Sequence, residues 1–463
     1  MLGDALLGSI AGAALATLPG GANWIWAVVG MIAGAIVGWP RGPWSWRSLA
    51  GQWPRLALLA FFVPALRMAV APGADMAMHT ALGRGLLEGG LSPAWPGVAV
   101  HVYPRGFSAL IALFSPIGLA KASLVAAGAS YAVFHLGLST LVPWPLALVA
   151  VFLSRTPQTF FDWGGNPTAL ALGLGFAAAG AVRQGRAAHA ALLLAGAAAV
   201  HPMAACAAAL VAVVFSVHGK RCAVACAAAL GALAFVFAAL ALIGPALSPR
   251  ETAWIRDYAR MTEAIPLRST FAVLGDPAAV LCGISALVLV WKRQFRKLRM
   301  VGLGVVACAV LFTLLPFAGL YPIRFAPLLL LCLVPWWSAL PKPALWAALA
   351  VAAPFHFRWY QQASPIATEA DVQAIACVTR TVPQAAVIDG AYGDATQWIP
   401  ALTGHPVTHP HVHVSLFDEA DASLAKLPPA TFRFAGDRLR YPSPRLPLPQ
   451  GATALCDGHL APL

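Results

Sequence analysis

The stretch from residue 187 to 243, AAHAALLLAGAAAVHPMAACAAALVAVVFSVHGKRCAVACAAALGALAFVFAALALI, decides the fold class. It is apolar almost throughout, and its only charged side chains are those of Lys220 and Arg221. Apolar runs of roughly 15 to 22 residues, separated by short polar breaks, are typical of helices that cross a lipid bilayer. His201-Pro202 and the basic pair are such breaks, so we expect several consecutive membrane helices here.

The composition extends this pattern to the whole chain. Its 463 residues are 60% hydrophobic and 10% charged, with a mean hydropathy of +0.75. A soluble domain carries about 25% charged residues. We therefore expect an all-α polytopic membrane protein, with about 13 transmembrane helices in residues 1–356 and a small extracytoplasmic α+β segment at 357–463, called the C-terminal segment below.

The basic residues indicate which loops face the cytoplasm. The net charge of +13 is spread over short loops, which favours the positive-inside bias of membrane proteins over nucleic-acid binding. The run WKRQFRKLR at 291–299 is the strongest inside mark. Asp75 and Asp162 are then both expected on the opposite face. Three apolar stretches lie between them, at 106–119, 122–141 and 143–155. Two aspartates on the same face require an even number of membrane crossings between them, so one of the three stretches must be re-entrant, interfacial or fused with its neighbour.

The C-terminal segment is polar and rich in proline. QAAVID (384–389) has the pattern of a short strand, and Cys377 and Cys456 could pair in an oxidising compartment. A metal site is weakly indicated here, since no carboxylate or cysteine partner accompanies the histidines in sequence. These histidines are His405, His409, His411 and His413.

Asp75 is the first candidate for chemistry, because a charged group beside a membrane core is costly unless it is paired or functional. It lies in the first long polar break, 72–105, and His79 follows at the i+4 spacing that places both on one helix face. A partly desolvated carboxylate could take a proton from an acceptor hydroxyl. Asp is also a favoured helix N-cap, and the two roles are compatible.

A second candidate is the stretch RTPQTFFDWGGNPTALALG at 155–173. Asp162 and Trp163 precede two glycines, which allow a ligand to approach the backbone closely. Asn166-Pro167 has the pattern of a cap and first turn of the next helix. The aromatic side chains could stack on a sugar or belong to the aromatic belt of the membrane interface.

Arginines on the same face are candidates for binding phosphate. Arg256 and Arg260 share a face of an expected amphipathic helix and could clamp a phosphate, or could pair with Asp257 and Glu263. Arg324 stands at the start of a helix, where it could bind a lipid phosphate or extend to ordinary headgroups.

Four of these motifs together resemble the GT-C superfamily of membrane glycosyltransferases, which use polyprenyl-phosphate-linked sugars. The likeness is to bacterial members with a Y-P-x-G-F-x-A-L run, a W-G-G-x-P turn, a His-Pro helix end and a related C-terminal phrase. Here those motifs are HVYPRGFSALIALF (101–114), WGGNP (163–167), His201-Pro202 and WIPALTGHPVT (398–408).

The resemblance implies an inverting sugar transfer to an acceptor hydroxyl, with Asp75 as general base and Arg324, then Arg256 or Arg260, on the leaving phosphate. It implies a bacterial inner membrane location with the site facing the periplasm or exterior, and a cell-envelope glycan, lipid or protein as acceptor. No second acid follows Asp75, so metal binding is not expected there, although a divalent cation stays possible. The remaining expected substrate-binding residues are His79, His101, Tyr103, Arg105, Asp162, Trp163, Asn166, His201 and Tyr321.

Two other classes compete with this interpretation. A polysaccharide polymerase or ligase would depend on arginine and histidine rather than on an aspartate base. A lipid or solute transporter would carry its charges within helix cores rather than at helix ends on one face.

Overall fold

The structure is a computed structural model that describes residues 2–18, 24–38, 53–89, 103–243, 247–262, 275–318, 320–410, 422, 424–439 and 446–463. The described chain is mostly helical, with one small three-stranded sheet near its C-terminus. His101 lies outside the described residues, as does the side chain of Arg260.

Helices follow one another with short connections in the first half of the chain. They are α1 (Leu2–Leu15), α2 (Trp24–Gly38), α3 (Val63–Arg67), α4 (Ala74–Leu87), α5 (Gly106–Phe114), α6 (Leu119–Leu141), α7 (Trp144–Leu153), α8 (Thr156–Trp163), α9 (Asn166–Arg183), α10 (Ala187–Val200) and α11 (Pro202–Ser216). His201 is extended (φ −157°) between α10 and α11. Pro202 then begins α11 at a position where its missing N–H costs no hydrogen bond.

The second half continues in the same way until the C-terminal segment. Its helices are α12 (Lys220–Ile243), α13 (Pro249–Thr262), α14 (Asp276–Trp291), α15 (Phe295–Leu314), α16 (Pro322–Phe325), α17 (Pro327–Trp337), α18 (Lys342–Gln362), α19 (Glu369–Thr381) and α20 (Ile399–Thr403). Short 3-10 helices cover Trp53–Phe62, Ser115–Ile117, Leu315–Ala318 and Ala395–Trp398. The expected amphipathic helix in 244–268 is present as α13.

Three helices in the described ranges are long and apolar enough to cross a membrane: Leu119–Leu141, Lys220–Ile243 and Phe295–Phe317. The other apolar helices are shorter, and α5, with 9 residues, is only about 14 Å long against a hydrocarbon core of about 30 Å. The lengths therefore support three spans, not the expected 13. Large apolar side chains on the outer faces are exposed, among them Phe235 at 72% and Leu287 at 72%.

The apolar stretches between Asp75 and Asp162 form helices of very different length. Helices α6 and α9 pack side by side and run parallel, because Gly137 lies against Gly173 and Thr140 against Gly180. The chain must return between them, and it does so through the two short helices α7 and α8. Of the three stretches, only 122–141 lies in a helix long enough to cross a membrane, and both 106–119 and 143–155 contain shorter helices. The even number of crossings between the two aspartates stays a prediction.

The C-terminal segment is a small α+β unit, as expected. Strand β1 (Ile388–Asp389) pairs in parallel with β2 (Phe432–Phe434), which pairs antiparallel with β3 (Leu460–Pro462). A disulfide joins Cys377 on α19 to Cys456, with their Cα atoms 5.5 Å apart. The pairing left open by the sequence is therefore present, and it attaches α19 to the end of the chain.

Candidate functional site

Two glycines bring Asp75 against the turn between α8 and α9. Gly73 has φ +93°, and a methyl group added to it would lie 2.3 Å from the backbone nitrogen of Gly164. Gly164 is left-handed (φ +91°), and a methyl group there would lie 3.0 Å from Cβ of Asp75. Only glycine allows this backbone approach, so the Gly-Gly turn after Trp163 serves to seat the start of α4.

Asp75 is not the N-cap of its helix, which corrects one of the two roles expected from sequence. Gly73 occupies the N-cap, no side chain caps the helix there, and Asp75 lies in the first turn. Its carboxylate is thus at the positive end of α4. His79, one turn further along, is buried, with Nδ1 3.5 Å from Oγ of Ser108 and its ring edge-on to Phe107 at 5.3 Å.

A basic and aromatic pair lies beside the turn against which Asp75 packs. The Arg324 guanidinium carbon lies 4.3 Å from the centroid of the Trp163 ring, and its Nη1 donates a hydrogen bond to Oγ1 of Thr168. His201 interacts electrostatically with Arg324, His79 and Asp75. We call Asp75, His79, Trp163, His201 and Arg324 the polar cluster.

His201 has a structural role as well. Its Nδ1 accepts a hydrogen bond from the backbone N–H of Ala204 at 3.2 Å, which caps α11. The Nδ1 atom therefore carries no proton, and a neutral ring would hold its proton on Nε2. The structural and the site interpretations of this histidine are compatible.

The Y-P-R-G motif lies beside the polar cluster. The Tyr103 ring is edge-on to His79 with centroids 6.2 Å apart, and Arg105, only 6% exposed, immediately precedes α5. A methyl group added at Gly106 would lie 2.6 Å from the carbonyl oxygen of Ala199, two residues before His201. Tyr103 therefore contacts the polar cluster, and Arg105 lies next to it in sequence; their expected contact with substrate stays a prediction.

The buried side chain of Asn166 connects α9 to α6 and α4 through two hydrogen bonds. It is 0% exposed, its Oδ1 accepts a hydrogen bond from the Tyr131 hydroxyl at 2.6 Å, and its Nδ2 donates to Sδ of Met76 at 3.0 Å. Both ends of the amide contact protein, which is a correction to its expected contact with substrate. It is also the first residue of α9 rather than its cap, which is Gly165.

The remaining predicted residues are placed less centrally. Asp162 precedes Trp163 at the end of α8 and is partly exposed. The backbone N–H of Tyr321 donates to Sδ of Met203 at 3.4 Å, which ties the helix of Arg324 to α11. Arg256 is half exposed and pairs with Asp257 at 3.5 Å. Of the predicted arginines, Arg324 contacts Trp163, beside the turn that holds Asp75, whereas the described ion pair of Arg256 is with Asp257.

Sequence reasoning missed Thr168 and Tyr131. Thr168 is in the first turn of α9. Its hydroxyl follows the Gly-Gly turn closely in sequence, which could have marked it as a site residue. Tyr131 left no signal, because its partner is 35 residues away in sequence and only the packing of α6 on α9 brings them together.

The C-terminal segment covers α4. Residues 395–398 and α20 pack on this helix, and a methyl group at Gly404 would lie 3.4 Å from the Arg84 guanidinium. The W-I-P-A-L-T-G-H phrase is therefore part of the wall over the helix that carries Asp75. Its buried His405 has Nδ1 2.9 Å from Oγ1 of Thr403 and Nε2 3.2 Å from the Val382 carbonyl, and burial lowers its pKa.

A second buried titratable group lies beside this phrase. Asp394 accepts hydrogen bonds from the backbone N–H groups of Thr396 at 2.8 Å and Gly436 at 3.4 Å. Its burial still raises the pKa of this carboxyl to about 6. Asp394 therefore gives the C-terminal segment a proton-binding group near neutral pH.

A group of possible metal ligands lies outside the polar cluster. In the part of the chain that the structure describes, only Asp371, Asp437 and His459 place three ligand atoms within 4.8 Å of one another. That group is in the C-terminal segment. Asp371 accepts N–H groups of Thr368 at 2.7 Å and Asp437 at 2.9 Å, so it caps α19. His409 contacts Thr408, while His411 and His413 lie outside the described residues.

The site is thus one acid, two histidines, an aromatic ring and one arginine, gathered from four separated parts of the chain. Comparison with known proteins adds no relative, since no protein-family model matches the chain and no curated protein matches it.

Proposed function

We propose that this chain is a multi-pass membrane glycosyltransferase of the GT-C type, moving a sugar from a polyprenyl-phosphate donor to an acceptor hydroxyl on the extracytoplasmic side. The observation that carries the proposal is that Asp75 packs against Gly164, next to Trp163, and that Arg324 lies over the ring of the same Trp163. An inverting displacement at an anomeric carbon needs a base that deprotonates the nucleophile and a cation that stabilises the leaving group. A carboxylate and a guanidinium can supply these two roles.

The membrane placement rests on the three long apolar helices and on the apolar side chains exposed along α12, α14 and α15. Exposed apolar surface of this extent marks a membrane-facing or binding surface. The disulfide favours an oxidising compartment for the C-terminal segment. That segment covers α4, so Asp75 faces the same compartment.

The chemistry follows from the residues. Asp75 takes the proton of the acceptor hydroxyl. The oxygen of that hydroxyl attacks the anomeric carbon, and the bond from this carbon to the phosphate oxygen breaks. Arg324 stabilises the charge on the leaving phosphate, and its contacts with Trp163 and Thr168 hold the guanidinium in place before reaction. The buried indole Nε1 of Trp163 has no hydrogen-bond partner among the described residues, so it can donate to a substrate oxygen.

The test is transfer of labelled sugar from a membrane lipid extract, with the full chain in nanodiscs. Asp75→Asn is expected to lower turnover by about 10²- to 10⁴-fold, the usual contribution of a general base. Glu88→Gln is the matched control, because Glu88 ends the same helix and is an exposed partner of Arg84. Retention of most activity by Asp75→Asn would contradict the proposal and favour the polymerase or ligase mechanism.

A further inference from the structure

A cavity of about 500 Å³ lies outside the polar cluster. It lies between the end of α3, the last turns of α18 and the first residues of the C-terminal segment. Val63, Met68 and Phe357 form part of its apolar wall. Its volume is within the range of about 300–1,000 Å³ that is usual for small-molecule sites. None of its lining residues belongs to the polar cluster.

The cavity also carries an excess of positive charge. Arg67 and Arg438 line it together with one acid, Glu369, so two cations face one anion. Arg438 donates from Nη1 to Oγ of Ser364 at 2.8 Å, which fixes the direction of its side chain. Arg67, at the end of α3, makes no hydrogen bond or ion pair with another residue of the described ranges.

We propose that this cavity binds the phosphate headgroup of a membrane lipid at a second site, separate from the transfer site. Guanidinium groups bind phosphate through paired, charge-assisted hydrogen bonds, and the apolar wall suits the first carbons of the lipid chain. The placement rests on the proposed function, since it takes the end of α3 and the exit of α18 to lie at the membrane surface. It does not depend on the transfer chemistry.

The experiment is native mass spectrometry of the full chain released from detergent, with dioleoylphosphatidylglycerol as probe and dioleoylglycerol as the same chains without phosphate. One phosphatidylglycerol is expected to stay bound, and about tenfold less tightly after each of Arg67→Gln and Arg438→Gln. Arg380→Gln is the control, because Arg380 is exposed on α19 in the same segment but does not line the cavity. Ala363→Phe fills the cavity, keeps both arginines and is expected to weaken binding as well.

Three outcomes would overturn the proposal. They are equal retention of dioleoylglycerol, unchanged retention in the two arginine variants, and displacement of the lipid by an equal concentration of inorganic phosphate, which would make the cavity a simple anion site. Sugar transfer is measured on the same samples. If the arginine variants lose lipid binding but keep sugar transfer, the lipid site is supported independently of the transfer site. If Asp75→Asn keeps sugar transfer while lipid binding is intact, the proposed function is contradicted and the lipid site stands.

Discussion

Removing the Cys377–Cys456 disulfide is expected to destabilise the C-terminal segment selectively. The two cysteines are 79 residues apart, and the cross-link limits the unfolded segment more strongly than the folded one. With the chain-entropy relation for a loop of this length, the disulfide contributes about 4.5 kcal/mol at 25 °C. With a urea m-value of about 2 kcal/mol/M, the unfolding midpoint of the segment would fall by about 2 M.

The assay is pulse proteolysis in urea, following cleavage within 363–463 of the full chain in detergent. Wild type, wild type with reductant, and the double variant Cys377→Ala/Cys456→Ala are compared. Cys206→Ala is the control, since Cys206 is a free thiol on α11. The reduced and double-variant proteins should coincide, and the control should match wild type.

Two results would refute this reasoning. An unchanged midpoint on reduction would mean that the cross-link does not limit the unfolded segment. Alkylation of Cys377 and Cys456 in freshly isolated membranes, without reductant, would place the segment in a reducing compartment. Because the segment packs on α4, that result would also put Asp75 on the cytoplasmic side and remove the basis for an extracytoplasmic reaction.

Three further predictions follow from single contacts. Gly73→Ala should lower the thermal midpoint and the transfer rate much more than Gly89→Ala, since both glycines have positive φ but a methyl group at Gly89 meets nothing within 4 Å; equal effects would contradict the packing argument. Burial raises the pKa of Asp394 from its ordinary value of 3.8 to about 6 in the folded state, so its contribution to segment stability is fully present below pH 3.8 and is lost as the pH rises through 6, by about 3 kcal/mol in all. Asp394→Asn should reduce the pH dependence of the urea midpoint between pH 4 and 6, and an unchanged pH dependence would contradict this assignment. Tyr131→Phe leaves the buried Oδ1 of Asn166 without its donor, at a cost of about 1–3 kcal/mol measured by urea unfolding, and a cost near zero would mean that this bond is replaced by another.

Local patterns predicted much of the helical framework and of the C-terminal segment. The His201-Pro202 break marked a helix boundary correctly, because proline determines its own backbone conformation. Helix length was less predictable. The apolar stretch at 56–67, for example, is a 3-10 helix over Trp53–Phe62 followed by one turn and a half of α-helix to Arg67.

The candidate site was predictable in its members and not in its contacts. Asp75, Trp163 and Arg324 stood out because charged and glycine-flanked aromatic residues are rare in so apolar a chain. That Arg324 rather than Arg256 reaches Trp163 depends on how α16 packs against α11, which no local pattern records. Arg256 instead pairs with its neighbour Asp257, an outcome that the sequence had left open.

The cover formed by α20 over α4 also sets an order of biogenesis. Residues 74–87 leave the ribosome before residues 399–404, which complete the burial of this helix. Until the later residues have been made and have folded, the helix bearing Asp75 lacks part of its wall. A chain that stops before residue 399 therefore leaves this face of α4 uncovered.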